Sequence, residues 1–358
     1  REYAKPNYGD ILKEFRYNNM LSNPRSHERN LFSNLLQTYV TRPATLIAQG
    51  DLKGAGRYYV GALKAIPDAR AAFMDSLSGK SMIEKPDLQY LTTQKLPKFL
   101  TIPSKLMEAS DRFFSTLIQS GETARGASAA EAAKTAEYSL FRQGGSIEGQ
   151  GYLLKGIDSF TNMLYQVRKI PFGDWFVPFI RTPMNIAKQW IEYSPAGVLT
   201  IPGAVNKKEQ LAKTLIGSIV TAIGAKSALD GNTTWDVPTD RKQKDLFYAA
   251  GKKPFSIRIG DTWVPMATFG VFAFPLAIPA AVAYNQNESK SALTDTQSQK
   301  LLKVIPQMIN FFSQQTPMAN LGNFVKLLQG DSDYSTVKSL TFTASQLIPF
   351  QGLVRYIT

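Results

Sequence analysis

From Thr262 to Asn287 the chain runs for 26 residues without an Asp, Glu, Lys or Arg. That exceeds the roughly 20 apolar residues that cross a bilayer, so the run has to lie in lipid or under protein. Pro265, Pro275 and Pro279 interrupt it. An interior proline costs a helix about 3 kcal/mol, which argues against one straight membrane helix and favours a buried or interfacial helix pair. In either setting Trp263, Phe269, Phe272, Phe274, Leu276 and Ile278 are the candidate contacts with a partner or a membrane. Just upstream, Phe255-Ser256-Ile257-Arg258-Ile259 alternates with period two. Gly260-Asp261 suits a two-residue turn and Thr262 to Met266 a return strand, which predicts one small β-hairpin.

Elsewhere the apolar spacing is helical. Leu31, Leu35, Tyr39 and Phe32, Leu36, Val40 recur at i, i+4. Thr41-Arg42-Pro43 then marks a kink or a new first turn. Gly50 to Gly56 reads as a hinge, and Pro67-Asp68 restarts a helix that carries Tyr58 through Leu77. Lys80 to Pro103 is loop-like. Ser104 is placed to cap a helix bearing Leu106, Ala109, Phe113, Phe114 and Leu117. Ser128 and Glu131 have capping-box spacing before an Ala-rich helix that ends near Gly144-Gly145. Tyr152 to Val167 is helical, an aromatic and Pro-rich stretch follows at Pro171 to Phe179, and Thr182-Pro183 is expected to cap and start a helix from Met184 to Tyr193. Leu211 to Leu229 is an apolar helix with small residues at Gly217, Ser218, Ala222 and Gly224. Three further helices are expected at Gln299 to Ser313, Leu321 to Gln329 and Ser335 to Leu347.

Catalytic chemistry is sparse. The chain has no Cys and a single His, so thiol catalysis, disulfides and the usual transition-metal ligand sets are absent. His27, in Ser26-His27-Glu28-Arg29, reads as a solvated helix-start residue. No Gly-x-Ser-x-Gly occurs. Gly79-Lys80-Ser81 resembles the tail of a phosphate loop, but Met74 stands where that loop needs Gly, so Gly79 is better read as a helix C-cap. Glu288-Ser289 and Ala283-Tyr284-Asn285 are fragments of a lytic transglycosylase pattern in the wrong order, and a surface loop explains them better. No cofactor is implied.

Lys plus Arg number 41 against 28 Asp plus Glu, a net charge of +13. That excess suits nucleic acid, anionic lipid or an acidic partner, and equally an ordinary solvated surface. No nucleic-acid recognition motif accompanies it. The short clusters at Lys207-Lys208, Arg241-Lys242-Lys244 and Lys252-Lys253 are the candidate sites for sequence-independent phosphate contacts.

Four stretches stand out in order: Arg29-Asn30-Leu31-Phe32-Ser33-Asn34 through Arg42-Pro43 to Ala69-Arg70-Ala71-Ala72-Phe73; Pro103-Ser104-Lys105-Leu106 through Asp111-Arg112-Phe113-Phe114; Val177-Pro178-Phe179-Ile180-Arg181-Thr182-Pro183-Met184-Asn185-Ile186; and Asp230-Gly231 through Gly251-Lys252-Lys253-Pro254-Phe255 to Trp263-Val264. Together they resemble the C-terminal regions of bacteriophage internal virion (ejection) proteins and related large polyvalent phage proteins. They cover most of residues 29–275. After Trp263 such proteins commonly show a polar strand, whereas this chain continues uncharged from Pro265 to Gly270.

The resemblance implies a structural protein rather than an enzyme, stored inside the capsid and then placed in the host cell envelope after ejection. It implies a homo-oligomer that works with other internal phage proteins, contacts double-stranded DNA non-specifically and touches the host membrane. The alternative is an accessory domain of a large injected phage enzyme, an anti-restriction protein or virion polymerase. A start at Arg1 fits a piece of a longer polypeptide. The matching motifs carry no catalytic residues, and Arg181, Thr182 and Pro183 are read as a structural motif. The expected fold is mainly α: an elongated or layered multi-helix assembly domain with one hairpin. It divides into an N-terminal helical-hairpin region (1–100), a central region (101–205) and a C-terminal region carrying the hairpin and the uncharged segment (206–358).

Overall fold

The computed structural model describes residues 8–79, 95–143, 152–169, 180–238, 240–288, 311 and 349–357. The helices expected at Leu321 to Gln329 and Ser335 to Leu347, the aromatic stretch Pro171 to Phe179 and nearly all of Gln299 to Ser313 lie outside them.

The fold is mainly α, with one two-stranded antiparallel hairpin among the described residues. The helices are α1 (Tyr8–Leu21), α2 (Pro24–Leu36), α3 (Arg42–Ala48), α4 (Leu52–Lys64), α5 (Ile66–Ser78), α6 (Ile102–Arg125), α7 (Ala129–Ser139), α8 (Tyr152–Lys169), α9 (Arg181–Glu192), α10 (Lys207–Leu229), α11 (Arg241–Ala249), α12 (Ala273–Glu288) and α13 (Gln351–Ile357). Strands β1 (Ser256–Ile259) and β2 (Thr262–Pro265) pair with Ile257 opposite Val264 and Arg258 opposite Trp263, as the alternation predicts.

Two long helices organise the rest. Around α6 pack α1, α2, α4, α5 and α7; against α10 pack α3, α12 and the 3-10 segment Pro195–Gly203. Packing therefore runs across both divisions expected at residues 100 and 205. Close approach is secured by glycine where backbones cross. A Cβ on Gly61 of α4 would lie 2.4 Å from the Ala124 Cβ of α6, and one on Gly121 2.7 Å from the Tyr58 ring. On α10, Gly217 faces the backbone of Tyr193 and Ser194, and Gly224 that of Leu276.

Chain punctuation follows the sequence with several corrections. Pro43 does restart a helix, but through a π-turn at Gln37–Thr41. Proline has no N–H for the carbonyl four residues back; the Tyr39 carbonyl accepts instead from the Tyr59 hydroxyl. The Gly50 to Gly56 hinge is shorter than expected. Asp51 caps α4 through the Gly54 amide at 2.8 Å, so Gly54 and Gly56 are helical. Ser104 does not cap α6, which begins at Ile102 with Pro103 in its first turn. Its amide donates to Asn18 of α1 instead (3.1 Å). Ser128 and Glu131 form the capping box of α7, which ends at Ser139 rather than near Gly144. Gly79 is the left-handed C-cap of α5 (φ 75°). Thr182 is not the N-cap: α9 begins at Arg181, so Thr182 is already helical, and Pro183 sits in the first turn, where a missing N–H costs no intrahelical bond. His27 is half-buried rather than solvated, its Nε2 2.8 Å from the Leu21 carbonyl oxygen. Burial, partly offset by that bond, lowers its pKa.

The uncharged segment forms β2, a 3-10 stretch at Met266–Phe272 and the single helix α12, not a helix pair. Gly270 breaks it with φ 57°, a conformation that glycine adopts without a Cβ penalty.

The two kinds of glycine on α4 have opposite consequences. Gly61→Ala should destabilise by about 1–3 kcal/mol, because overpacking at a backbone crossing outweighs the helix propensity gained. A Cβ added at Gly56 would meet nothing within 4 Å, so Gly56→Ala should stabilise by about 0.5–1 kcal/mol. Urea midpoints of both variants read the difference, and equal shifts would refute the close-crossing account.

Candidate functional site

The most highly organised polar ensemble lies between the α6 and α10 groups. The π-turn before α3 carries Arg42 into the interior, where it is buried. Its Nε and Nη2 donate to the two carboxylate oxygens of Glu122 on α6 (2.6 and 3.2 Å), and its Nη1 donates to Glu209 on α10 (3.3 Å). Glu122 is fully buried and also accepts from Arg125 Nε at 2.6 Å. One turn along α10 from Glu209, Lys213 reaches both Glu209 (3.6 Å) and Glu192 at the end of α9 (3.5 Å). The Tyr138 hydroxyl of α7 donates to Glu192, and the Lys213 ammonium lies 4.0 Å from the Tyr138 ring centroid. Thr45 and the buried Tyr193 share a hydroxyl contact at 3.2 Å. Gln37 donates to Gln189 at 3.0 Å, and Gln189 donates in turn to the Tyr138 carbonyl.

Charges balance within this set: Arg42, Arg125 and Lys213 face Glu122, Glu192 and Glu209. Burial alone would neutralise such groups. For Lys213 that effect is outweighed by Glu192 and Glu209, which raise its pKa. Burial likewise pushes Glu209 upward, but Lys213 and Arg42 overcome it and hold the carboxyl below its ordinary value. Burial works against the Arg42 guanidinium, and its Glu122 bond together with the charges of Glu209 and Glu122 more than compensates. Tyr138 and Tyr193 are held protonated, chiefly by burial. A general acid needs a carboxyl with a raised pKa open to substrate. This arrangement does the reverse, locking ionised groups to one another, and its chemistry is that of a pin between helices.

The expected contact residues fall elsewhere. Trp263, Phe272 and Leu276 are buried, and Phe269, Phe274 and Ile278 are half-buried. All but Ile278 belong to the core or pack against it. Phe274 stacks on Trp190 at 5.8 Å, and Phe269 meets Phe32 edge-on at 6.2 Å. The stretch Met266–Tyr284 is long and apolar enough to cross a membrane, but half of it is inside the fold and Gly270 bends it. Arg241, Lys242 and Lys244 are exposed on α11, and Lys253, past the end of that helix, is exposed too. Lys252 is half-buried, its ammonium 5.7 Å from the Trp263 ring centroid. Lys207 and Lys208 are exposed in the first turn of α10. The hairpin is tied just beyond the other end of that helix by Arg258 N–H donating to the Asn232 carbonyl (2.8 Å). At about 1.5 Å per residue, these lysines therefore stand a helix length from Lys252 and Lys253, and the basic clusters do not form one site. Arg181, partly desolvated, and Pro183 lie at the start of α9, consistent with a structural motif.

A wide depression of about 520 Å³ is lined by Lys53, Gly56, Arg57, Val60 and Ala124. Among the described residues no group of His, Asp and Glu is placed to hold a metal ion.

Sequence reasoning missed the network. Arg42 was visible only as the residue before a helix-restarting proline, and Glu209-Lys213 only as an i, i+4 pair. Nothing in the sequence joins them to Glu122 or Glu192. No protein-family model matches the chain, and no curated protein or solved structure matches it significantly.

Arg42→Met should cost about 3–5 kcal/mol, the usual penalty for stranding a buried charge, read as a lowered urea midpoint at unchanged slope. A loss below about 1 kcal/mol would reduce the pair to the worth of a surface contact. The pH dependence has a definite sign. The folded-state pKa of Glu209 is depressed, so its contribution is complete above the unfolded value, near 4.5, and is lost as pH falls through the folded one. The midpoint of the parent protein should thus fall on acidification below about pH 4.5 more steeply than that of Glu209→Gln. Parallel curves would remove Glu209 from the account.

Proposed function

We propose that this chain is the structural part of a phage internal virion (ejection) protein, which multimerises and helps DNA cross the host envelope. One observation carries the reading beyond the ordered motifs. Several of the residues that bear the resemblance help to hold the fold together, although others in the same stretches, such as Leu31, Arg70 and Lys253, are exposed. Arg42, Asp111, Phe114, Phe255 and Trp263 are all buried. Phe114 lies in the cluster under α5, α6 and α7, and Phe255 packs edge-on to Trp235 at 5.0 Å. Burial of these five residues supports a structural rather than a catalytic role for them.

On this reading the exposed cations supply weak phosphate contacts, those of α11 foremost. Arg241, Lys242 and Lys244 leave their charge in water while Phe247 anchors the helix. Contacts of this kind allow DNA to slide because they read no base.

The test is a titration of linear double-stranded DNA between 50 and 300 mM salt, with light scattering for assembly. Affinity should fall with a slope of about −0.9 per phosphate neutralised, independent of sequence. Reversing Arg241, Lys242 and Lys244 to Glu should flatten it by up to about three such contacts. A flat slope in the parent protein, or a chain that stays monomeric at all concentrations, would overturn the proposal.

A further inference from the structure

We propose that the connection from α9 into α10, residues 198–215, docks on an anionic lipid surface. From Tyr193 to Asn206 the chain has no charged side chain, and Lys207-Lys208 follows at once. Val205 is 85% exposed, and Val198, Leu199, Leu211 and Leu215 are each more than half exposed. Val205 holds the position that usually staples a helix start against the fourth helical residue. Here that residue is Gln210, which is buried against the Glu192 carbonyl (3.3 Å), so the Val205 side chain is left in water. Leu211 and Leu215, one turn apart on α10, continue the apolar edge, and Lys208 shares their face at i, i+3 and i, i+7.

Along the stretch itself the exposed charge has one sign. Glu209 is turned inward to Arg42 and Lys213, and Lys213 is itself buried. The exposed charges of residues 193–215 are therefore Lys207 and Lys208 alone. An apolar tip beside outward lysines is complementary to an anionic bilayer interface, where valine and leucine reach the acyl boundary while ammonium groups stay among the headgroups. The tip is a 3-10 turn, a loop and one helix face. A fluid surface accommodates exposed side chains spread over a turn, a loop and a helix face, whereas a protein partner must supply a fitted pocket. The uncharged segment from Thr262 to Asn287 does not offer this surface, because its large side chains are mostly spent on the core.

The inference names the membrane-facing surface for the reading above but rests on surface chemistry alone. The absence of cysteine makes a clean test possible. The 358-residue chain, with Val205→Cys carrying a polarity-sensitive fluorophore, is mixed with vesicles of phosphatidylcholine, with or without phosphatidylglycerol. The probe should shift to an apolar signal only with the anionic vesicles, while one at Leu246→Cys on α11 stays water-like. Val205→Asp with Leu211→Asp should lower vesicle partitioning about tenfold or more, given the cost of exposing two buried apolar side chains, with an unchanged circular dichroism spectrum. Lys207→Glu with Lys208→Glu should remove the preference for anionic lipid. A water-like probe at 205, undiminished binding of the aspartate variant, or an apolar shift that grows with protein concentration without lipid would overturn the proposal; the last would assign the edge to a second copy. DNA binding with the expected salt slope but no vesicle binding would sink this inference and leave the functional reading standing.

Discussion

The guanidinium of Arg42 sits where the two helical groups meet, and its donors are divided between them. Glu122 takes two and belongs to α6; Glu209 takes one and belongs to α10. A planar fork of fixed geometry is suited to such a division, since an ammonium would lack the bidentate grip. With Glu122 fully buried, neither side can move away without stranding a charge in the interior. Such a pin adds little net stability compared with apolar packing. What it contributes is register: the π-turn, α6 and α10 have one mutual arrangement in which every ionised group is paired.

The hydrophobic part of the structure answers to that arrangement. Trp190, on the helix that ends at Glu192, stacks on Phe274, and its indole N–H donates to the Gly270 carbonyl at 2.9 Å. Gly270 can take its positive φ against Ser33 because it has no Cβ; an added one would lie 2.4 Å from the Ser33 hydroxyl. The uncharged run is thereby bent across α2, α9 and α10 instead of extending as one rod. Trp235, Phe255 and Phe311 complete this aromatic cluster beside the hairpin. Apolar length that suggests a membrane is here used to build a core, while the apolar surface left in water lies elsewhere, on α10 and the turn before it.

That relocation shows how far the site was legible in the residues. The spacing around α10 revealed an apolar helix, but not which side was covered, because an i, i+4 row of Leu211, Leu215, Ile219 and Ile223 looks like a core stripe. In the fold those four are more than half exposed, and the smaller Gly217 and Gly224 face inward. Backbones approach closely enough there that only glycine fits. The same inversion explains why Lys213, an ordinary cation in sequence, is buried and paired.

The sequence by itself determined the local events. Its spacing and punctuation set the helices, the hairpin register, the capping box of α7, the left-handed Gly79 and the restart at Pro43, all of which depend on contacts within a few residues. Its composition also leaves no thiol and a single imidazole for any chemistry that needs them. Tertiary structure alone decided which faces are inside, where the uncharged segment goes and which charges meet. Arg42 and Glu122 are 80 positions apart and Arg42 and Glu209 167, and no periodicity encodes a partner at that distance. Burying an ion requires its counter-ion in place, so such pairings come into being only when the whole set of helices is packed.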